Sequence, residues 1–188
     1  LSIIVDKEEI KKKLDNRLLE LQDQVDLKGF RKGKVPPSVI KNQFGKAIYG
    51  EVIELWVENN IPCSCGGRLV TQPANQKSID CICNQCSKNI QVKSSAKPFT
   101  INRNGKLKIL GAEYTTTLNS INSELDWDLM LIQYDKELNY VVNVKVIIAE
   151  NIKARNVIPR KPLGPNARRA GWQGCYLEFD AEVVKELI

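Results

Sequence analysis

The sequence predicts a mixed α/β fold in which a mainly helical N-terminal segment precedes a sheet domain pinned by four cysteines. Three observations carry this prediction. Apolar residues recur at helical spacing up to about residue 59. From Cys63 onward, cysteine pairs alternate with short β-prone runs. Residues 127–134 and 140–148 are β-rich and largely apolar, as core strands are.

Each element follows from local pattern. Residues 2–5 are β-prone, and Asp6 with Glu9 forms a capping-box start. Ile10, Leu14, Leu18, Leu21 and Val25 then form one apolar stripe, predicting a helix over 7–25. Glycine and proline punctuate residues 26–37 as a loop. A short helix over 38–44 is expected to close at Gly45. A second amphipathic helix is expected over 46–59, with Ile48, Val52, Leu55 and Trp56 on one side. Strands are expected over 68–72, 78–82 and 89–93, and a helix over 111–123. After Pro162 the chain reads as a basic loop through Arg168 and Arg169. The character changes between 45 and 61, so the division expected is 1–45 and 46–188, with a cysteine knuckle at 63–86.

Composition narrows the chemistry. The 188 residues carry a net charge of +6 and no histidine. Histidine bases, Ser-His and Cys-His pairs and histidine-ligated metals are therefore excluded. Carboxylate, amide, lysine, thiolate or a bound metal remain. The basic excess favours a polyanionic partner such as DNA or RNA, although basic proteins without one are common. No run approaches a membrane span, and no signal-peptide pattern is present. Because the chain starts at Leu1, it is expected to be a fragment, and a removed leader stays open. Cysteines in close pairs suit a metal better than a disulfide framework, so a reducing, cytoplasmic compartment is expected.

Cys63 with Cys65, and Cys83 with Cys86, form two pairs that two short turns would bring to the corners of a tetrahedron. Structural Zn²⁺ is the expectation; the alternative is four unliganded thiols. Cys81 competes for a ligand position, and Cys175 is expected in the core. Gln91 and Lys93 are two apart and would share one face of a strand, with Asp80 on the strand before it. An acid followed by an acid-x-Lys strand is an arrangement suited to holding Mg²⁺ against a phosphate, with lysine steadying developing charge. Alone, Asp…Gln-x-Lys is a weak signal, because glutamine is a neutral and poorer ligand for Mg²⁺.

The loop Gly29-Phe-Arg-Lys-Gly-Lys-Val-Pro36 holds an aromatic ring among cations, and residues 29–46 contain no acid. This composition suits docking on RNA or an acidic protein surface, or is simply a solvated basic loop. With the helix before it, the Ser-Val-Ile-Lys-Asn-Gln-Phe-Gly-Lys run and the helix after it, residues 2–58 resemble the ribosome-binding domain of trigger factor. That resemblance implies ribosome contact through Phe30, Arg31 and Lys32. The isomerase and substrate-cradling parts of that chaperone family are not matched.

The cysteine knuckles and Asp80 stand with four further runs: Cys-Asn-Gln-Cys-Ser, Val92-Lys-Ser, Leu129-Met-Leu-Ile-Gln-Tyr134 and, strongest, Arg160-Lys-Pro-Leu-Gly-Pro-Asn-Ala-Arg-Arg-Ala-Gly-Trp-Gln-Gly-Cys175. On these residues, 46–180 resemble the catalytic domain of the DpnI and Dam-replacing restriction endonucleases. The resemblance implies a PD-(D/E)XK nuclease core acting on double-stranded DNA at GATC sites, in some members requiring N6-methyladenine. It implies Asp80 and Gln91 as Mg²⁺ ligands, Lys93 as the catalytic lysine, and Zn²⁺ on the four paired cysteines. Gln91 stands where the family has glutamate, which reads as a tolerated variant, an engineered knock-out or a degenerate enzyme. In the absence of the winged-helix domain that follows in such enzymes, reduced DNA affinity and methyl selectivity are expected. Arg168, Arg169 and Trp172 are candidate DNA contacts, or an ordered turn on the core. Lys97, Arg103, Lys106 and Lys108 form a basic stretch, equally a DNA groove or a solvated face.

Overall fold

The structure, a computed structural model, describes residues 7–73, 79–123, 127–135 and 140–187. The β-prone run at 2–5 and the capping residue Asp6 lie outside them, as does Ser78 of the expected strand 78–82.

Helix α1 spans Lys7–Gln24 and buries Leu14, with Leu18 and Leu21 packed alongside. Helix α2 is one element, Pro37–Asn60, and not two helices broken at Gly45. It begins with proline in its first turn, where the missing N–H is not needed. Gly45 has no positive φ, so it does not act as a left-handed stop. Ile40, Ile48, Val52, Ile53, Trp56 and Val57 are all buried, so the inward stripe runs through the glycine. That packing outweighs glycine's helix cost of about 1 kcal/mol. Leu55, expected on the apolar side, is instead 42% exposed, and Ile53 and Tyr49 take the inward positions. Arg17 of α1 bonds Glu51 of α2 at 2.7 Å, and Gln22 Nε2 donates to Val35 O, tying the helices and their connecting loop together.

Six strands form the main sheet in the order β1 (Leu69–Thr71), β2 (Cys81–Cys83), β3 (Asn89–Ser95), β5 (Trp127–Asp135), β6 (Tyr140–Ile147), β9 (Lys185–Glu186). All neighbours are antiparallel except β3 and β5, which pair in parallel with Gln91 opposite Leu129 and Lys93 opposite Leu131. The crossover between them carries β4 (Lys106–Glu113) and α3 (Tyr114–Asn122). β4 pairs with β8 (Gly174–Asp180) and β8 with β7 (Val157–Pro159) in a second, three-stranded sheet. The helix expected over 111–123 therefore begins only at Tyr114, where the Glu113 carboxylate accepts from Thr115 N and Thr116 N. Its first residues belong to β4, and no strand was expected at 106–113 or 174–180.

β5 is buried on both faces. Met130, Ile132 and Tyr134 pack with the helices, while Trp127, Leu129 and Leu131 pack with Leu107, Ile109, Leu177 and Phe179 of the small sheet. The result is a helix layer, a central sheet and a small sheet with α3, which is a PD-(D/E)XK nuclease-like arrangement with a four-cysteine cluster. Among the described residues no helix is long and apolar enough to cross a membrane.

Candidate active site and cysteine cluster

The cysteine cluster assembles from two turns. Cys63 N donates to Gly67 O, and Gly66, with φ +87°, closes the first turn. Cys83 N donates to Lys88 O and closes the second. The Sγ atoms of Cys63, Cys65, Cys83 and Cys86 all lie within 4.8 Å of one another. The nearest pairs, Cys65–Cys83 and Cys63–Cys86, stand at 3.5 and 3.6 Å. Those separations exceed a disulfide's ~2.05 Å and approach the ~3.8 Å edge of a tetrahedron with metal–sulfur bonds of ~2.3 Å. Four thiols in this geometry could hold a metal such as zinc.

The surrounding backbone supports the sulfurs. Gly67 N donates to Cys65 Sγ, and backbone N–H groups led by that of Cys86 hold the Cys83 thiol down at about 6. A Cβ at Gly67 would meet Cys83 Sγ at 2.7 Å, so only glycine fits there. Cys81 lies outside the cluster. Burial, with Glu54, Asp80 and Glu58 nearby, pushes its thiol up to about 12, so it stays neutral. Cys175 is buried and donates to Ala112 O, in the core as expected.

Asp80 sits at a bend immediately before β2 and not on the strand itself. Asp80 N donates to Ile90 O, which is the last backbone rung between this segment and β3. The next donor along β3, Val92 N, goes to the Asp80 carboxylate at 2.6 Å. The side chain thus takes the place of a backbone rung at the bend before β2. Burial raises the Asp80 pKa, opposed by the Val92 N–H and the Lys93 ammonium.

Alternation along β3 turns Ile90 and Val92 toward the helices and Gln91 and Lys93 to the opposite face. There Gln91 and Lys93 line a cavity of about 40 Å³ with Thr116, Thr117, Ser120 and Trp127. Ser120 Oγ and Trp127 Nε1 are buried and have no hydrogen-bond partner among the described residues. The cavity is of single-water size with polar groups in its wall.

A residue absent from the sequence prediction belongs to this neighbourhood. Glu54, half-buried on α2, is pushed up to about 7 by burial, with Asp80 and Glu51 adding to the rise and Lys93 opposing it. One turn on, Glu58 accepts from Thr71 N and Oγ1 and pairs with Arg68 at 2.6 Å, and the Thr71 N–H leads in lowering its pKa. Glu51, Glu54 and Glu58 are spaced as an ordinary acidic helix face. Their position against Asp80 appears only once β1 and β2 are packed.

Residues 160–173 form an ordered turn. Arg160 N donates to Gly174 O, Leu163 N to Trp172 O, Gly171 N to Leu163 O, and Gln173 Nε2 to Arg160 O. Arg168 and Arg169 are exposed on it, with the Arg169 guanidinium 4.7 Å over the Trp172 ring. Lys108 and Arg160 lie 4.4 and 5.2 Å over Tyr176 on the outer face of the small sheet. In the α1–α2 loop, Phe30 is 41% exposed between Gly29 and Gly33, both at positive φ, and Arg31 and Lys32 are exposed beside it.

A nuclease-like fold with a four-cysteine cluster thus brings an acid within electrostatic reach of a lysine. The chain belongs to the Dam-replacing family (DpnI), whose profile matches residues 38–184. It is also similar to proteins named trigger factor. That of Pelagibacter ubique is 35% identical over 80 residues, 43% of this chain and 17% of the relative. That of Ruegeria pomeroyi is 42% identical over 53 residues, 28% of this chain and 12% of the relative. That of Rhodospirillum rubrum is 39% identical over 80 residues, 43% of this chain and 18% of the relative. The chain spans less than a fifth of the length of each.

The raised Glu54 carboxyl has a thermodynamic consequence. Between its ordinary value of 4.5 and about 7, the folded chain holds a proton that the unfolded chain has released. Stability from this group is therefore full below about pH 4.5 and is lost as pH rises through about 7. In chelator, Glu54→Gln should exceed the parent by on the order of 1–3 kcal/mol at pH 8 and by much less at pH 5. Urea denaturation at the two pH values checks this, and equal differences at both would contradict it.

Proposed function

We propose that the chain is a metal-dependent DNA endonuclease of restriction type, hydrolysing phosphodiesters at GATC-like sites, including adenine-methylated ones. The observation that carries this reading is the Asp80 carboxylate held by Val92 N–H within electrostatic reach of Lys93, in a chain of the Dam-replacing family. Asp80 would hold a Mg²⁺ ion, with the amide oxygen of Gln91 as a neutral second donor. When bound, such an ion polarises a phosphate and lowers the pKa of its water. Lys93 would place its ammonium against charge developing on the phosphate. The four-cysteine cluster would hold Zn²⁺ as a structural clamp, every position being filled by protein. Arg168, Arg169 and Trp172 would bind the DNA backbone. Their turn leaves the sheet at Arg160 and Gly174, and Tyr114 N donates to Gln173 O, so it is anchored next to the cavity wall.

The test is nicking of methylated and unmethylated plasmid with Mg²⁺ or Mn²⁺. Cleavage should fall at least ~100-fold in Asp80→Asn and rise in Gln91→Glu. No nicking by this chain and none by Gln91→Glu would overturn the enzyme reading. Salt-sensitive DNA binding without cleavage would replace it with an inactive scaffold that grips DNA.

Elemental analysis should find one zinc per chain, lost in Cys65→Ser; an intact chain carrying no zinc would overturn the clamp.

A second reading concerns residues 1–45, which we propose as a trigger-factor-like segment preceding the nuclease-like part at 46–188. The exposed Phe30-Arg31-Lys32 tip favours ribosome docking. Co-sedimentation with ribosomes, abolished by Phe30→Ala with Arg31→Ala, is expected; unchanged sedimentation would remove this role.

A further inference from the structure

The cavity between β3 and α3 is rich in hydrogen-bonding groups. β3 contributes the Gln91 amide and the Lys93 ammonium, α3 the hydroxyls of Thr116, Thr117 and Ser120, and β5 the indole of Trp127. No acid is among the described residues that line it. The topology brings the three elements together. Trp127 opens β5 opposite Asn89, so it shares a sheet face with Gln91 and Lys93, one step along the parallel pair. Thr116 and Thr117 stand one helical turn before Ser120, so all three present to one side of α3.

Two of these groups are committed to nothing in the protein. Trp127 is 3% exposed. Its Nε1, like Ser120 Oγ, is buried with no hydrogen-bond partner among the described residues. Thr116, by contrast, gives its hydroxyl and its N–H to the Glu113 carboxylate. A buried donor left unmet is costly, and burial beside a polar cavity offers the remedy. The cavity's 40 Å³ exceeds the ~10–15 Å³ that one water requires, and a buried water needs only two to four polar partners.

Donors and acceptors then balance in one way. An indole N–H only donates, so a water beside Trp127 accepts from it. Its second lone pair can take an N–H of the Gln91 amide, and its own hydrogens can go to Ser120 Oγ and Thr117 Oγ1. We propose that this cavity holds one internal water, gripped by Trp127 and Ser120, that binds the Gln91 amide nitrogen and so turns the Gln91 carbonyl oxygen out of the cavity. Trp127 and Ser120 are then positioning residues for Gln91. A carboxylate at 91 has no N–H to give, so this arrangement is particular to the amide. The inference rests on the nuclease reading for the use of the outward oxygen, but not for the water or the orientation.

The probe is water itself, in the full chain. Oxygen-17 magnetic relaxation dispersion counts long-lived internal waters. Ser120→Val, which puts methyl groups in place of the hydroxyl, should lower the count by about one. Asn119→Ala, at an exposed position of the same helix, should leave it unchanged. Nuclear magnetic resonance gives the second readout, exchange of the Gln91 Nε2 protons, whose signals are assigned by their loss in Gln91→Glu. Trp127→Phe and Ser120→Ala should each speed that exchange about tenfold. Circular dichroism establishes that each variant is folded, and Ser120→Ala carries the test if Trp127→Phe is not. Equal water counts in the parent and Ser120→Val overturn the inference, as does Gln91 exchange that no folded variant alters. Plasmid cleavage separates the two claims. A lost water and a freed Gln91 amide, without cleavage by any variant, leave the positioning and remove the nuclease reading. Cleavage by the parent, with equal water counts, does the reverse.

Discussion

The parallel pairing of β3 with β5 is the constraint on which the other features depend. Parallel neighbours cannot be joined by a tight turn, so the chain must leave the sheet and return. The excursion from Ser95 to Trp127 supplies β4 and α3, and these build the layer that covers the second face of β5. With both faces covered, β5 is buried at seven of its nine positions, and its neighbour β3 is held in fixed register against it. The positions of Gln91 and Lys93 follow from that register. The other side of β3 pairs with β2 through Asn89 and Ile90.

Asp80 extends that side. A strand edge with unmet N–H groups invites another chain. Here one carboxylate takes the donor of Val92 from the bend at Asp80, just before β2. The same acid ends a ladder and feels the charge of Lys93. The cysteine cluster sits at the other end of the short β2–β3 hairpin, so it holds the hairpin together while remaining apart from the carboxylates. Scaffold sulfur chemistry and candidate phosphate chemistry thus occupy opposite ends of one small unit.

Much of this was legible in the sequence where the physics is local. Four cysteines in two close pairs point to a cluster because each pair needs only a single turn. The period of two places Gln91 and Lys93 on one face whatever the rest of the fold does. Gly45 misled because local propensity marks it as a stop, whereas the stripe from Ile40 to Ile48 passes through it. β4 and β8 were present as alternation, Leu107 with Ile109 and Leu177 with Phe179, but lysines and a basic turn drew attention from them. Glu54 was not legible. An acid on a helix surface looks solvated until a strand from elsewhere is laid against it.

Helix α2 carries the chain from the basic loop into the part matching the Dam-replacing family, residues 38–184, without any break in its backbone. A connection made through a helix is phase-locked, unlike one made through a loop. One residue added or removed between Pro37 and Gly45 would rotate everything downstream by about 100° relative to α1. Either the Ile40 face or the Trp56 and Glu54 faces would then point away from their partners. The helix can therefore vary in length only by near-whole turns. The number of residues between Pro37 and Glu54 is thus as much a part of the fold as the buried side chains that line it.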